Sequence, residues 1–334
     1  MDFDTAKRII DDEFKFVENS KDFDEIEFDF MGGEPFCSFD LIKKIISYVV
    51  GKNPNVPYIF FATTNATLIN NEIKEYLEEN KSIFVVGISY DGKFSQEVNR
   101  TKNDVIDIDY FFNLYPFQPL KVTISPYSVK SLSEDIISLH KNGYEFIATC
   151  SFGQYWSEED YLCFRSELLK ISNFYIQNPD ISICNLFDNK LIYVDCMHEH
   201  RKYCGSGKNM IAYDVDGASY PCHMFTSVVL GRKMPESVKR ELKNASFTSE
   251  ECLSCSYVDI CPTCYGFNFK DRGDISKRDK CSCRLFKIQM EVVAYLHIEL
   301  VKRKIMQGKQ LSAEEICGVK NIKKLNKQIF NQVK

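Results

Sequence analysis

Short apolar runs with the length of β-strands alternate with amphipathic, helix-like segments along the first half of the chain. Strands separated by helices favour parallel pairing, so the pattern predicts βα units in a barrel or a doubly wound sheet. Both architectures gather chemistry at the carboxyl ends of the strands. Gly51 and Gly143 follow two of the helical segments and are predicted to end them. Strands are predicted over 25–30, 57–63, 82–89, 120–125 and 145–150, and helices over 3–18, 39–50, 70–80 and 129–142, with a further helix opening at Ser157.

Length and charge narrow the class of protein. The 334 residues carry a formal net charge of −5, and this length predicts about two domains with a sizeable core. No uninterrupted apolar stretch approaches the roughly 18 residues that a membrane-spanning helix needs, and the acidic start lacks the basic end and apolar centre of a signal peptide. We therefore expect a cytoplasmic protein without a membrane or nucleic-acid partner.

The fourteen cysteines are distributed unevenly, and nine of them lie between residues 196 and 283. Without an export signal a disulfide framework is a poor explanation, whereas clustered thiolates are typical of metal or iron–sulfur sites. The cysteines outside this segment are interpreted as small buried hydrophobic residues; they are Cys37, Cys150, Cys163, Cys184 and Cys317.

Unusual residues follow three of the predicted strands. Two adjacent glycines, Gly32 and Gly33, let a backbone approach a ligand closely, and Glu34 supplies a carboxylate for an ammonium group. Taken alone, this Gly-Gly-Glu-Pro segment also fits a tight turn. Two further segments follow later strands, Thr-Asn-Ala-Thr at 64–67 and Ser-Tyr-Asp-Gly at 89–92. With these three segments together, the chain resembles the radical S-adenosylmethionine (SAM) family.

This resemblance implies a fold and a cofactor site. The fold is a partial (β/α)6 TIM-like barrel over residues 1–190 that lacks its first strand. Ala66 replaces the glycine that usually follows the family's asparagine at this turn. By resemblance, Gly32, Gly33 and Glu34 receive the amino group of SAM, Thr64 and Asn65 lie near its ribose with Ser89 and Asp91 close by, and Arg100 lies near its carboxylate.

The cysteine-rich segment is similar to the SPASM extension of many radical SAM enzymes, which binds auxiliary [4Fe–4S] clusters. Twelve residues separate Cys204 from Gly217, and four more separate Gly217 from Cys222. The resemblance places a SPASM domain at 191–290 and leaves a basic helical tail at 291–334. By resemblance, Cys196, Cys204, Cys222 and Cys264 hold one cluster, and Cys252, Cys255 and Cys261 hold the other with Cys283 as fourth ligand, although Cys281 stays open as an alternative.

Zinc is the rival for these cysteines. Pairs of cysteines two residues apart are typical zinc knuckles, but the two knuckles of a zinc ribbon are roughly 15–20 residues apart. Here only five residues separate Cys255 from Cys261. Iron–sulfur is therefore favoured. A zinc-binding scaffold, or a non-catalytic iron–sulfur protein that transfers electrons or binds a peptide, stays open.

One family motif is absent from the sequence. None of the fourteen cysteines has the Cys-x3-Cys-x2-Cys spacing that holds the family's catalytic [4Fe–4S] cluster. We therefore expect an N-terminally shortened enzyme that is inactive as given, with the catalytic cluster present only in a longer chain.

The resemblance also implies an activity for the full enzyme. It would modify a ribosomally made peptide or a protein side chain through a 5′-deoxyadenosyl radical, with flavodoxin or ferredoxin as electron donor. His223 stands directly after Cys222, where sulfatase-maturing relatives carry a catalytic aspartate. This position argues against the sulfatase-maturing branch, whereas Cys-Pro-Thr-Cys-Tyr-Gly at 261–266 and Tyr-Pro-Cys at 220–222 look more like the maturases of ribosomally made peptides.

Overall fold

The computed structural model describes residues 1–100, 106–194, 204–244 and 249–332. Over these residues the chain is a mixed α/β protein, as the alternating pattern predicts. Parallel strands and their helices form the first half, and short elements followed by two long helices form the second. Within the described ranges, every helix lacks either the length or the apolar content that a bilayer crossing requires.

Five strands pair in parallel in the order of the chain. Phe28, Phe60 and Phe84 lie side by side in the first three strands, and the last two strands pair separately. A bridge between Ser89 and Lys121 connects the two groups. All five predicted strands are confirmed to within two residues at each end. They are β1 (Ile26–Phe30), β2 (Tyr58–Thr64), β3 (Phe84–Ile88), β4 (Leu120–Ile124) and β5 (Phe146–Cys150).

The two faces of the sheet differ in chemistry. Phe60, Ala62 and Val122 belong to a face that is buried under helices, and burial of each large apolar side chain there stabilises the fold by about 1.5–3 kcal/mol. Phe61 and Thr63 alternate with them and belong to the opposite, partly exposed face. The helices of this half are α1 (Phe3–Glu18), α2 (Phe39–Lys52), α3 (Asn71–Asn80), α4 (Ser95–Asn99), α5 (Ile108–Leu114), α6 (Leu132–Lys141) and α7 (Glu158–Gln177).

Helix ends follow the predictions with one exception. The side chain of Ser157 accepts a hydrogen bond from the Asp160 amide in a capping box that opens α7, and Gly143 ends the turn after α6 with a φ of 76°. The prediction for Gly51 is wrong, because α2 continues to Lys52. Asn53 ends the helix instead with a φ of 47°, a left-handed conformation that asparagine tolerates.

The cysteines outside the clustered segment are less buried than predicted. Cys184 is buried as expected, but Cys37 is exposed. The reason is local, since the 3-10 turn Pro35–Ser38 directs Pro35 and Phe36 into the core and leaves Cys37 on the outside. Three others, Cys150, Cys163 and Cys317, are partly exposed.

The cysteine-rich segment has a small apolar core of its own. Phe225 and Leu242 are fully buried in it, together with Tyr265 and Phe269. The much longer α12 belongs to the main core and runs unbroken past residue 290. The elements of this half are β6 (Ala212–Tyr213), β7 (Ser219–Tyr220), α8 (Ser227–Leu230), α9 (Glu236–Asn244), α10 (Glu250–Leu253), α11 (Tyr265–Arg272), α12 (Lys280–Met306) and α13 (Ala313–Gln332).

The buried carboxylate of Asp135 holds the loop that follows β3. Its oxygens accept hydrogen bonds from the Phe94 amide (2.8 Å), the Ser95 amide (3.0 Å) and the Ser95 hydroxyl (2.6 Å). Gly92 approaches this carboxylate so closely that a Cβ atom would lie 2.4 Å from the Asp135 Cβ, and its φ is 104°. Gly92 therefore needs both the open space and the conformational range of glycine.

We predict that Gly92→Ala destabilises the protein by about 2–4 kcal/mol, because it combines a left-handed backbone with a steric clash. Urea denaturation measures the change. Gly231→Ala is the matched control, since Gly231 has a φ of 68° but open space around it, and we expect a loss of about 1 kcal/mol there. Equal losses at the two positions would contradict the close approach to Asp135.

Candidate functional site

A single carboxylate joins the loops that follow β1 and β2. Glu34 Oε1 accepts hydrogen bonds from the Thr64 hydroxyl (2.8 Å) and the Phe36 amide (3.1 Å), and its Oε2 accepts one from the Asn65 amide (2.9 Å). A Cβ atom built on Gly32 or Gly33 would meet no other residue within 4 Å. The structure thus brings three predicted residues together and leaves open space beside the two glycines.

The turn after Asn65 has a left-handed backbone at Ala66. Ala66 has a φ of 63°, in the left-handed region that favours glycine. Its amide donates a hydrogen bond to the Thr64 hydroxyl (2.9 Å), and the Asn65 side-chain oxygen accepts one from the Thr67 amide (2.9 Å). These bonds hold alanine in a conformation that costs it roughly 1–2 kcal/mol.

Two further predicted residues form a buried ion pair. The Asp91 carboxylate accepts hydrogen bonds from Arg100 Nε (2.9 Å) and Nη2 (3.1 Å), and from the Thr123 amide (2.7 Å). Because its oxygens are occupied by these donors and it is fully buried, Asp91 orients the arginine. Ser89 belongs with the residues around Glu34, since its amide donates a hydrogen bond to the Thr64 carbonyl (2.9 Å).

A polar cluster on the open face of the sheet escaped the sequence predictions. Lys121 Nζ donates a hydrogen bond to the Thr63 hydroxyl (2.6 Å) across β3, where Gly87 leaves room for the lysine chain. Burial raises the pKa of Asp29 to about 6, although the nearby Lys121 ammonium opposes the shift. The acidic–apolar alternation of 25–30 was the available signal, because it directs Asp29 away from the apolar face.

The first group of thiols comprises Cys204, Cys222 and Cys264. Burial raises the pKa of Cys222, and the Cys264 and Cys204 thiols are near enough to raise it further. Cys264 Sγ also accepts a hydrogen bond from the Phe267 amide (3.4 Å) at the start of α11. These three predicted ligands therefore lie together, whereas Cys196 lies outside the described residues.

The second group comprises Cys252, Cys255, Cys261 and Cys283. Burial raises the pKa of Cys261 to about 11, with smaller contributions from the Cys283 and Cys255 thiols. The pKa of Cys283 is likewise raised by burial, then by Cys255 and Cys252. All four predicted members thus lie near one another.

Cys281 faces a different part of the molecule. Burial raises the pKa of the Tyr161 hydroxyl on α7, and the nearby Cys281 side chain raises it further. Of the two candidates for the fourth position, Cys283 is the one placed among the other thiols.

The donor chemistry of both groups fits an iron–sulfur cluster. Each iron of a [4Fe–4S] cube takes its own thiolate, so the four ligands need not converge on one point, whereas tetrahedral zinc requires convergence. Within the parts of the chain that the structure describes, no three His, Cys, Asp or Glu side chains are arranged to hold one metal ion.

Comparison with protein families gives one match. Residues 2–106 match the profile of the family described as a 4Fe-4S single cluster domain. Cys37 is the single cysteine in that segment. The match therefore covers β1 to β3 and their loops, including all of the predicted SAM-binding residues.

A curated relative is similar over a stretch of about the same length as the family match. It is the uncharacterized protein MJ0907 of Methanocaldococcus jannaschii, which is 41% identical over 92 residues. The alignment covers 28% of this chain and 29% of that protein. The chain thus matches less than a third of the relative's length.

Solved structures show the same fold over nearly the whole chain. Native anSMEcpe with bound AdoMet and the Cp18Cys peptide has a TM-score of 0.63 and 18% identity, covering 91% of this chain and 92% of that one. Native anSMEcpe with bound AdoMet has a TM-score of 0.61 and 20% identity, covering 87% and 88%. The chain therefore has the fold of these AdoMet-bound structures.

Proposed function

We propose that this chain is a radical SAM/SPASM protein that binds SAM at its strand ends, holds two auxiliary [4Fe–4S] clusters, and serves the modification of a ribosomally made peptide or a protein side chain. The observation that carries the proposal is the separation of the clustered thiols into two groups. One contains Cys204, Cys222 and Cys264, and the other is built around Cys261 and Cys283. In each group, cysteines that are distant in sequence lie near one another. Cysteines in solvated loops without a shared ligand would have no reason to lie together in this way.

The proposed SAM site uses the residues that β1 and β2 bring together. In this proposal Glu34 and the neighbouring glycine backbone hold the ammonium of SAM, while Thr64 and Asn65 lie beside its ribose. Asp91 does not contact SAM in this proposal. It orients the guanidinium of Arg100, which lies near the carboxylate of SAM. Support comes from the open space at Gly32 and Gly33 and from AdoMet bound to a protein of similar fold.

The proposed architecture is a partial (β/α)6 barrel. The five strands and their helices supply this body, and the polar face bearing Lys121 and Asp29 would line its interior. Peptide access to that face is consistent with the Cp18Cys peptide bound to the similar anSMEcpe.

The cluster ligands follow from the two groups. We assign Cys204, Cys222 and Cys264 to one cluster with Cys196 as fourth ligand, and the second group to the other. When bound, such clusters supply one-electron transfer. Because the sequence lacks the Cys-x3-Cys-x2-Cys motif, we propose that this chain alone does not cleave SAM, and that flavodoxin or ferredoxin would serve as electron donor for a chain that carries the motif.

The same missing motif favours a second candidate. A non-catalytic iron–sulfur protein that transfers electrons or binds a peptide needs only the auxiliary groups. The two functions differ at the strand ends, because only the first requires SAM to bind there.

We predict that the anaerobically reconstituted protein contains about eight irons and about eight sulfides per chain, since two [4Fe–4S] clusters supply four of each. Cys222→Ser and Cys261→Ser should each lower the content to about four, because each removes a ligand of one cluster. Cys317→Ser is the control and should keep the full content, since its thiol bonds the Ile192 carbonyl away from both groups. About one or two zincs without sulfide would contradict the proposal.

We predict different effects for the two cysteines at the start of α12. Cys283→Ser should lower the iron content to about four, whereas Cys281→Ser should leave about eight, because only Cys283 lies among the other thiols. Iron and sulfide analysis with absorption spectra measures both. The reverse outcome would assign the ligand to Cys281.

We predict that Glu34→Gln weakens SAM binding about 10–100-fold, because hydrogen bonds to charged groups contribute about 1.5–3 kcal/mol. Equilibrium dialysis with the reconstituted protein measures the affinity. Glu75→Gln is the control, since Glu75 is an exposed residue of α3, and its affinity should match that of the unaltered chain. Unchanged binding in Glu34→Gln would remove Glu34 from the site.

A further inference from the structure

Arg278 lies in the loop between α11 and α12, and one of its donor groups is buried without an acceptor among the described residues. Its Nη1 donates a hydrogen bond to the Cys261 carbonyl (3.1 Å). Its Nε is buried and has no hydrogen-bond acceptor among the described residues, and no ion pair between described residues includes it. A buried donor without an acceptor costs about 1–3 kcal/mol, so the position calls for an acceptor that the described part of the chain does not supply.

The neighbouring carboxylates are directed elsewhere. Asp279 accepts hydrogen bonds from the Ser282 amide (2.9 Å) and hydroxyl (2.7 Å) at the start of α12, and it lies 3.8 Å from Arg272. Asp274 bonds the Ser276 amide and hydroxyl, both at 2.8 Å. Neither acidic side chain compensates the charge of Arg278.

Arg278 lies beside two thiols of the second group. Burial raises the pKa of Cys261 and of Cys283, and the Arg278 guanidinium opposes the increase in both cases. The hydrogen bond to the Cys261 carbonyl fixes the guanidinium at this place. A cation and an unused N–H group therefore adjoin the position where thiolates and inorganic sulfides would gather.

We propose that Arg278 is a positioning residue of the second cluster, where its Nε–H donates a hydrogen bond to a cluster sulfur and its charge stabilises the reduced state. This inference rests on the proposed function. Reduction adds one electron from an external donor, so the cluster gains one negative charge. Hydrogen bonds to sulfur and nearby positive charge both favour that state and raise the reduction potential.

Lys287 allows a matched comparison. It also acts on the Cys283 thiol, but its side chain is exposed, so solvent and salt screen its charge. It offers an ammonium in water instead of a buried N–H group. Removing Lys287 should therefore alter the cluster much less than removing Arg278.

The experiment is a dithionite titration of the full, anaerobically reconstituted chain, followed by electron paramagnetic resonance. In Arg278→Met, the reduction equilibrium of one cluster should become at least tenfold less favourable, which is a fall of about 59 mV for a one-electron couple. The other cluster should not shift. Arg278→Lys keeps the charge but lacks the Nε–H group, so it should give a smaller fall, and Lys287→Met should change the equilibrium less than about threefold.

Each outcome has a distinct meaning. Full iron content with an unmoved potential in Arg278→Met would overturn the inference and leave the proposed function intact. If Arg278→Met does not retain its cluster, Arg278→Lys decides: a lowered potential supports the inference, and a potential equal to that of the unaltered chain overturns it. Absence of iron and sulfide from the unaltered chain would overturn the inference and the proposed function together.

Discussion

Parallel pairing in chain order is the constraint on which the strand-end site depends. Because neighbouring strands run in one direction, the loops after β1 and β2 leave the sheet at one edge. A carboxylate that follows one strand can then reach donors that follow the next, as Glu34 reaches Thr64 and Asn65. The same edge carries Ser89 after β3. An antiparallel arrangement would place alternate loops at opposite ends of the sheet.

The thiol groups depend on a different kind of order. Apart from Cys283 in α12, their members come from short elements with little sheet or helix to stabilise them, and the small core around Phe225 and Leu242 is limited. In the proposed function, crossing of ligands between segments would compensate, since the first group joins Cys222 after β7 to Cys264 at the start of α11. Cluster binding and folding would then be coupled in this part of the chain.

The sequence predicted elements well and side-chain destinations less well. Strands and helices follow from periodicity, which local residues determine, so β1 to β5 were located closely. The sequence could not decide between Cys281 and Cys283 as the fourth thiol. Residues two apart on a helix are separated by a rotation of roughly 200°, so they lie on nearly opposite sides, and either side can face the other thiols. Lys121 was missed because its hydrogen bond to Thr63 depends on the strand between them, where Gly87 leaves space for the lysine side chain. The proposed SAM-binding segments were identified because resemblance supplied their roles, which spacing alone does not.

The long helix α12 has a mechanical consequence. Its 27 residues extend about 40 Å, with Cys283 in the first turn and apolar side chains down to Leu296 packed in the main core. Arg165 of α7 joins Glu291 at 2.6 Å along the way. One continuous helix thus sets the distance between the second thiol group and the body of strands. An electron passing between them would therefore cross a gap of constant width, which a flexible linker would not provide.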